Sequence, residues 1–170
     1  MERTLARLSH EIIEQSPGER EIYLVGIKRR GVPLAQMIAD NVRRFSDLEV
    51  RLGELDITLY RDDLSEQYEQ PKVSGTVIDF DVTGKTIILV DDVIYTGRTA
   101  RAAMDALISL GRPAAIRLCV MVDRGHRELP IYANFVGKNV PTSRDEFIAV
   151  RVAAIDGENS VAIAKKDGER

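Results

Sequence analysis

Asp91 and Asp92 stand side by side at the end of an apolar run, in the stretch TIILVDDVIYTGRTA that spans residues 86–100. Two adjacent carboxylates repel each other and are costly to bury beside a sheet. They make sense where they meet solvent, a metal ion or ligand hydroxyls. Tyr95-Thr96-Gly97-Arg98-Thr99 follows at once. Gly97 permits close backbone approach. The Thr96 and Thr99 hydroxyls, with the free N–H groups of a helix start, form a cradle for an anion. A ligand with sugar hydroxyls next to a phosphate satisfies both halves. Two other phosphate motifs fail. TGKT at 83–86 has Asp79 where a Walker loop needs its leading glycine, and it precedes its strand instead of following one. No G-x-G-x-x-G occurs.

The elements that must position these groups alternate. Leu5, Leu8, Ile12 and Ile13 recur at helical spacing, so residues 3–15 read as an amphipathic helix, broken by SPGE. EIYLVGI (21–27) reads as a strand, KRRG as a loop, and Pro33 as part of the first turn of a helix carrying Leu34, Met37, Ile38, Val42 and Phe45 on one face. LDITLY (55–60) reads as a second strand, and 61–76 as a long mobile excursion. TIILV is a buried strand, 99–110 a helix stopped by Gly111, and AAIRLCVMV a further strand. Shorter β-rich runs follow at 147–155 and 160–164. This order predicts a single α/β domain over 1–170, with a mostly parallel sheet flanked by helices. Ligands bind such sheets beyond the carboxyl ends of the strands. The loops at 28–31, 61–76, 91–98 and 123–129 each follow a predicted strand, so they gather at one edge.

Composition bounds the function. The chain has 170 residues, 24 basic and 27 acidic, for a net charge of −3. That balance does not suggest a general polyanion binder, though a local basic face is compatible with it. Aromatic residues are 5% of the chain and Trp is absent, which argues against extensive base stacking. Cys119 is the only cysteine, so an intrachain disulfide is excluded, and its apolar setting reads as a small buried hydrophobe. No apolar run approaches the ~18 residues that cross a bilayer. MERTLARLSHEI carries charge through its apolar positions and does not read as a secretion signal; a cytoplasmic protein is expected, with no membrane partner.

ILVDDVIYTGRT resembles the signature of the type I phosphoribosyltransferases, which bind phosphoribosyl pyrophosphate (PRPP). The resemblance implies that Asp91 and Asp92 hold the ribose hydroxyls. It places Val93, Ile94, Tyr95, Thr96, Gly97, Arg98 and Thr99 around the 5-phosphate. It makes Lys28, Arg29 and Arg30, after the first strand, the pyrophosphate loop. Arg61, Asp62 and Asp63 open the excursion expected to close over the site. VGIKRRG, LDITLYRDDLS, VDRGHRELPI and VGKNVPTS extend the likeness from about Leu5 to Val161. They are similar to the bacterial branch that couples uracil phosphoribosyltransferase activity to attenuation of the pyrimidine operon. The chain departs from that branch in its later start, at Arg29 where Thr is frequent, and at Ala6 where Thr is expected.

This implies a uracil phosphoribosyltransferase using Mg²⁺ held through the substrate, with no direct protein metal site. Purine-using relatives often carry Asp at the place of Tyr95, so Tyr95 leans toward a pyrimidine. A hood from about 123 onward reads the base, with Arg124 as the best-matched contact and Ile148 a further one; His126 reads as a loop residue. The resemblance also implies binding of pyrimidine-operon mRNA when UMP or UTP is bound. Arg7 and His10 on the first helix then contact RNA, on a face that also holds Arg3 and Glu14. A homodimer or higher oligomer is expected. Two alternatives stand beside this: a phosphoribosyltransferase of another base without RNA regulation, and an RNA-binding regulator with little catalysis.

Overall fold

The computed structural model describes residues 1–60 and 75–165. Helix α1 (Glu2–Glu14) leads into β1 (Glu21–Ile27), α2 (Gly31–Phe45) and β2 (Glu49–Leu55). Then come β3 (Thr86–Ile94), α3 (Arg98–Ser109), β4 (Ala115–Asp123) and β5 (Phe135–Asn139). Finally β6 (Glu146–Arg151), the short α4 (Ala153–Asp156) and β7 (Ser160–Lys165) follow. Strands β1 to β5 form one sheet in the order β2-β1-β3-β4-β5, parallel at every pairing. β6 and β7 make a separate antiparallel pair.

Strand side chains alternate between two apolar layers, as the pleat requires. From β3, Ile88 and Val90 face the layer that contains Leu5, Leu8 and Ile12 of α1 and Leu34, Ile38 and Val42 of α2. Ile87 and Leu89 face Ala102, Ala103, Ala106 and Leu107 of α3. Covering on both faces explains why β1, β3 and β4 read as continuous apolar runs. Val150 and Val152 join the α1–α2 layer, so β6 and α4 dock on that side. Cys119 is 1% exposed, and burial pushes its thiol pKa up to about 12. It is therefore an inert core residue.

Three elements differ from the sequence reading. The second strand is Glu49–Leu55, and LDITLY contributes only Leu55 to it. β2 is an edge strand, so its exposed Glu49 and Arg51 hid it from an apolar pattern. The chain turns at Asp56, whose carboxylate accepts the Thr58 N–H at 3.0 Å and the Thr58 hydroxyl at 2.7 Å; a single 3₁₀ turn, Thr58–Tyr60, follows. β5 is also unannounced by pattern, yet it completes the main sheet beside β4. The run at 147–155 is strand only to Arg151. Residues 61–74, with Arg61, Asp62 and Asp63, lie outside the described residues.

The order β2-β1-β3 reverses direction between β1 and β3, which opens a crevice at their carboxyl ends. The crevice is tight. A Cβ on Gly31 would lie 2.2 Å from the Val90 carbonyl oxygen and 3.4 Å from the Asp91 Cα. Only a residue without a side chain lets α2 start against the end of β3. Gly31→Ala is expected to lower stability by about 1–3 kcal/mol or more, the usual cost of overpacking. The check is the urea midpoint at constant slope; an unchanged midpoint refutes the close-approach argument.

Candidate functional site

The last β1–β3 pair is Gly26 with Val90, whereas β3 stays paired with β4 up to Ile94 and Asp123. Asp91 and Asp92 therefore emerge where β3 has lost one neighbour. Each is half-buried. The Asp91 carboxylate accepts the Asp92 N–H at 2.9 Å, and the Asp92 carboxylate accepts the Val93 N–H at 2.8 Å. Burial, and next the adjacent Asp92 charge, raise the Asp91 pKa well above the ordinary carboxylate range. Val93 packs partly against the core and Ile94 is buried, which fixes the strand end from below.

Gly97 turns the chain into α3 with φ of 93°, a left-handed conformation that suits glycine. α3 has no side-chain cap at its N-terminus. The Thr96 hydroxyl accepts the Arg98 N–H at 3.3 Å. The first-turn N–H groups and the hydroxyls of Thr96 and Thr99 thus surround an anion-sized space. Residues Val93 to Thr99 line a cavity of about 260 Å³ together with Asp91. The Arg98 guanidinium pairs with Glu128 at 2.8 Å.

The predicted basic loop faces the same crevice. Lys28 pairs with Glu54 at 3.1 Å, and Arg30 pairs with Asp156 of α4 at 2.8 Å. The hydrogen bonds that Arg30 donates to the Asp156 carboxylate, and more weakly the Asp92 charge, raise the Arg30 pKa. Arg30 therefore lies within electrostatic reach of the carboxylate pair. Arg29, between these two cations in sequence, lines a larger cavity together with Lys28.

The loop after β4 closes the site on the other side. Arg124 is buried. It donates to the Thr142 hydroxyl at 3.0 Å and to the Ser143 and Glu146 carbonyls at 3.3 and 2.6 Å. Its guanidinium lies 4.0 Å from the Tyr95 ring centroid. His126 meets the same ring edge-on at 5.7 Å, and its Nε2 lies 2.6 Å from the Thr142 carbonyl. Ile148 sits in β6, paired with Ile163 and packed on the core. Sequence reading missed Asp123, Arg127 and Asp156. The Asp123–Arg127 spacing of four was a usable signal, whereas nothing local pointed to Asp156.

Arg7 and His10 lie away from the crevice, on α1. Arg7 pairs with Glu11 and donates to the carbonyls of Val136 and Gly137 in β5. His10 stacks on Phe45 of α2, with centroids 4.4 Å apart and planes 11° from parallel.

Can the site hold Mg²⁺? The pair Asp91–Asp92 offers hard oxygen donors, which suit that ion. Among the described residues no group of three or more His, Cys, Asp or Glu is placed to hold a metal. The donor set fits an ion that takes most of its ligands from a phosphorylated substrate. No helix among the described residues is long and apolar enough to cross a membrane.

Comparison with known proteins agrees with this geometry. Residues 1–153 match the family model described as phosphoribosyl transferase domain. The bifunctional protein PyrR of Thermus aquaticus is 60% identical over 168 residues, covering 99% of this chain and 93% of that protein. The protein of the same name from Clostridium novyi is 57% identical over 166 residues, covering 98% and 93%. Among solved structures, the hypoxanthine phosphoribosyltransferase of Trypanosoma cruzi superposes with a TM-score of 0.72 at 15% identity, covering 98% of this chain and 92% of that one. A hypoxanthine-guanine phosphoribosyltransferase from Bacillus anthracis gives 0.67 at 22% identity, covering 96% and 91%. These two share its fold.

The raised Asp91 pKa makes a stability prediction. The folded chain keeps the Asp91 proton to higher pH than the unfolded chain does. Stability is therefore lost as pH climbs from the ordinary carboxylate range through the raised value. Asp91→Asn removes that loss and keeps an acceptor for the Asp92 N–H. The variant is expected to melt above the wild type at pH 8, with the gap closing as pH falls below the carboxylate range. A thermal-denaturation series against pH checks this; a variant less stable at pH 8 contradicts the assignment.

Proposed function

The chain belongs to the phosphoribosyl transferase domain family, within its group of bifunctional PyrR proteins, and from that premise we propose that it transfers a phosphoribosyl group from PRPP to uracil, giving UMP and pyrophosphate, and binds pyrimidine-operon mRNA when UMP or UTP occupies the same site. One observation carries the proposal. Asp91 and the T-G-R-T cradle line one cavity at the end of β3, and Arg30, in the loop after β1, lies within electrostatic reach of Asp92; a single ligand carrying ribose, 5-phosphate and pyrophosphate suits that combination of groups.

In this reading Asp91 and Asp92 accept the ribose 2′- and 3′-hydroxyls. Those hydrogen bonds offset the burial and the neighbouring Asp92 charge that together raise the Asp91 pKa. The cradle of Thr96, Gly97, Arg98 and Thr99 fixes the 5-phosphate, and so fixes C1′. As the C1′–oxygen bond breaks, positive charge grows on the ribose ring and negative charge on the departing pyrophosphate. Lys28, Arg29 and Arg30 stabilise that anion, so positioning and electrostatics supply the catalysis. Mg²⁺ held through the substrate would supply further positive charge to neutralise the leaving group. Arg61, Asp62 and Asp63 belong to the segment that would exclude water during transfer.

Uracil enters between Tyr95 and the hood. Tyr95 offers no carboxylate to a purine imidazole nitrogen. Three hydrogen bonds already commit much of Arg124 to the 142–146 loop. Its role in base recognition therefore includes holding that loop and the Tyr95 ring in place. Ile148 would present backbone groups to the base from β6. An alternative, an enzyme without RNA regulation, is favoured by one observation: Arg7 and His10 are both engaged in packing α1 against β5 and α2.

Two experiments decide these points. A base panel with PRPP and Mg²⁺ is expected to show turnover of uracil alone, and loss of about 100-fold or more in Asp91→Asn/Asp92→Asn with the fold intact. Turnover of hypoxanthine or guanine but not uracil overturns the substrate assignment. At fixed salt, affinity for a pyrimidine-operon leader RNA is expected to rise at least several-fold with UMP, within the usual range of allosteric coupling. Affinity indifferent to UMP favours the enzyme-only reading.

A further inference from the structure

The phosphate cradle is not self-supporting. Its backbone is held from behind by the segment that follows β4. The Thr96 carbonyl accepts two N–H groups, from Glu128 at 2.9 Å and Leu129 at 3.1 Å. Leu129 and Ile131 also stand directly behind Gly97, since a Cβ there would meet them at 3.4 and 3.5 Å. The segment is itself organised by one side chain. Arg127 donates from Nε to the Ile131 carbonyl at 2.8 Å. One terminal nitrogen donates to the Tyr95 carbonyl at 2.8 Å and the Gly125 carbonyl at 3.3 Å. The other donates to the carboxylate of Asp123, whose second oxygen accepts the Gly125 N–H at 2.9 Å. The Arg127 and Asp123 side chains are only 12% and 17% exposed.

We propose that Arg127 is a positioning residue for the 5-phosphate: it fixes the Tyr95 carbonyl and the 125–131 segment, and so sets the placement of the Thr96–Thr99 cradle without touching the substrate. The proposal rests on the phosphoribosyl reading of that cradle. The planar guanidinium is suited to this because its donors lie in a fixed fork. It joins four acceptors from three places: the end of β4, the loop itself and the entry to α3. Ammonium on a flexible stem reaches fewer of these acceptors and fixes no plane. The pairing with Asp123 is charge-assisted and largely shielded, so it resists exchange with water. Tyr95 is held twice, through its carbonyl by Arg127 and through its ring by Arg124. The two arginines thereby divide the labour, with Arg127 acting on the phosphate side and Arg124 on the base side.

The test compares wild type with Arg127→Lys and Arg127→Gln. The Lys variant retains a cation beside Asp123 and guards against loss of fold. The measurements are KM for PRPP and for uracil, kcat, melting temperature, and Kd for UMP and for uridine. Uridine carries the base and ribose but no phosphate. Loosening the cradle is expected to raise the PRPP KM and the UMP Kd by about 10- to 100-fold, in line with the cost of small misplacements. The uridine Kd and the uracil KM should stay within about twofold on the same argument. The Lys variant should fall between wild type and Gln. A lower melting temperature with an unchanged preference for UMP over uridine overturns the proposal, because the side chain is then only structural. Equal weakening of UMP and uridine overturns it too, placing the effect on the base side. A wild-type protein that does not prefer UMP over uridine overturns the phosphoribosyl reading, and the proposal with it.

Discussion

Two carboxylates on adjacent residues at the end of a buried strand are the constraint around which the molecule is arranged. Among the described residues Asp91 and Asp92 gain no cation at ion-pair distance, and burial with mutual repulsion pushes the Asp91 pKa up. A fold selected for stability alone would place an apolar or singly charged turn there. The chain instead lets β1 part from β3 at Val90, leaving the pair at an open crevice while β4 still supports it to Ile94. Sites that carry such unfavourable groups trade stability for function. The apolar layers on both sheet faces supply the rigidity that keeps the pair in place.

Three arginines then assemble what the sheet edge alone leaves loose. Arg30 reaches Asp156 and ties the β1 loop to α4. Arg124 ties the end of β4 to the 142–146 loop and stacks on Tyr95. Arg127 ties the 125–131 segment to the entry of α3. Each connects segments far apart in sequence, and each uses more than one donor, which lysine could not do with the same geometry. The left-handed His126, at φ of 62°, sits among these contacts, with its ring against Tyr95 and its Nε2 against the Thr142 carbonyl. A non-glycine residue in that conformation persists because its surroundings determine it strongly.

What could be read from the sequence follows from how local the information is. The run from Thr86 to Thr99 shows its chemistry in order, because strand, acids, cradle and helix are contiguous. The alternation of β1, α2, β3, α3 and β4 was legible for the same reason, through apolar periods of about 2 and 3.6 residues. β2 was displaced by a few residues because an edge strand carries charge, and the apolar LDITLY outcompeted it. β5 has five residues with only Phe135 fully buried, so its period is too short to detect. The roles of Asp156 and Arg127 depend on tertiary contacts, and no spacing rule announces Asp156 as the partner of Arg30, 126 positions away. Arg7 and His10 were placed on the right helix, but their links to β5 and Phe45 were invisible in one dimension.

The cations around the crevice raise a last point about how a chain of net charge −3 receives a highly anionic ligand. Lys28, Arg30 and Arg98 are each already paired, with Glu54, Asp156 and Glu128. In the proposed reading, an incoming phosphate therefore exchanges one anion for another instead of meeting a bare charge. That lowers the gross electrostatic gain, since part of the cation's field is spent before binding. It also means that the long side chains are held near their working positions, so less rotamer freedom is lost when the ligand arrives. The pairs are partly exposed, with side chains between 17% and 55% accessible, so each is weak enough to yield to a phosphate. On that proposal, selectivity for a ligand with two anionic ends would come from displacing several weak pairs at once. A lone phosphate, competing at only one of them, gains little.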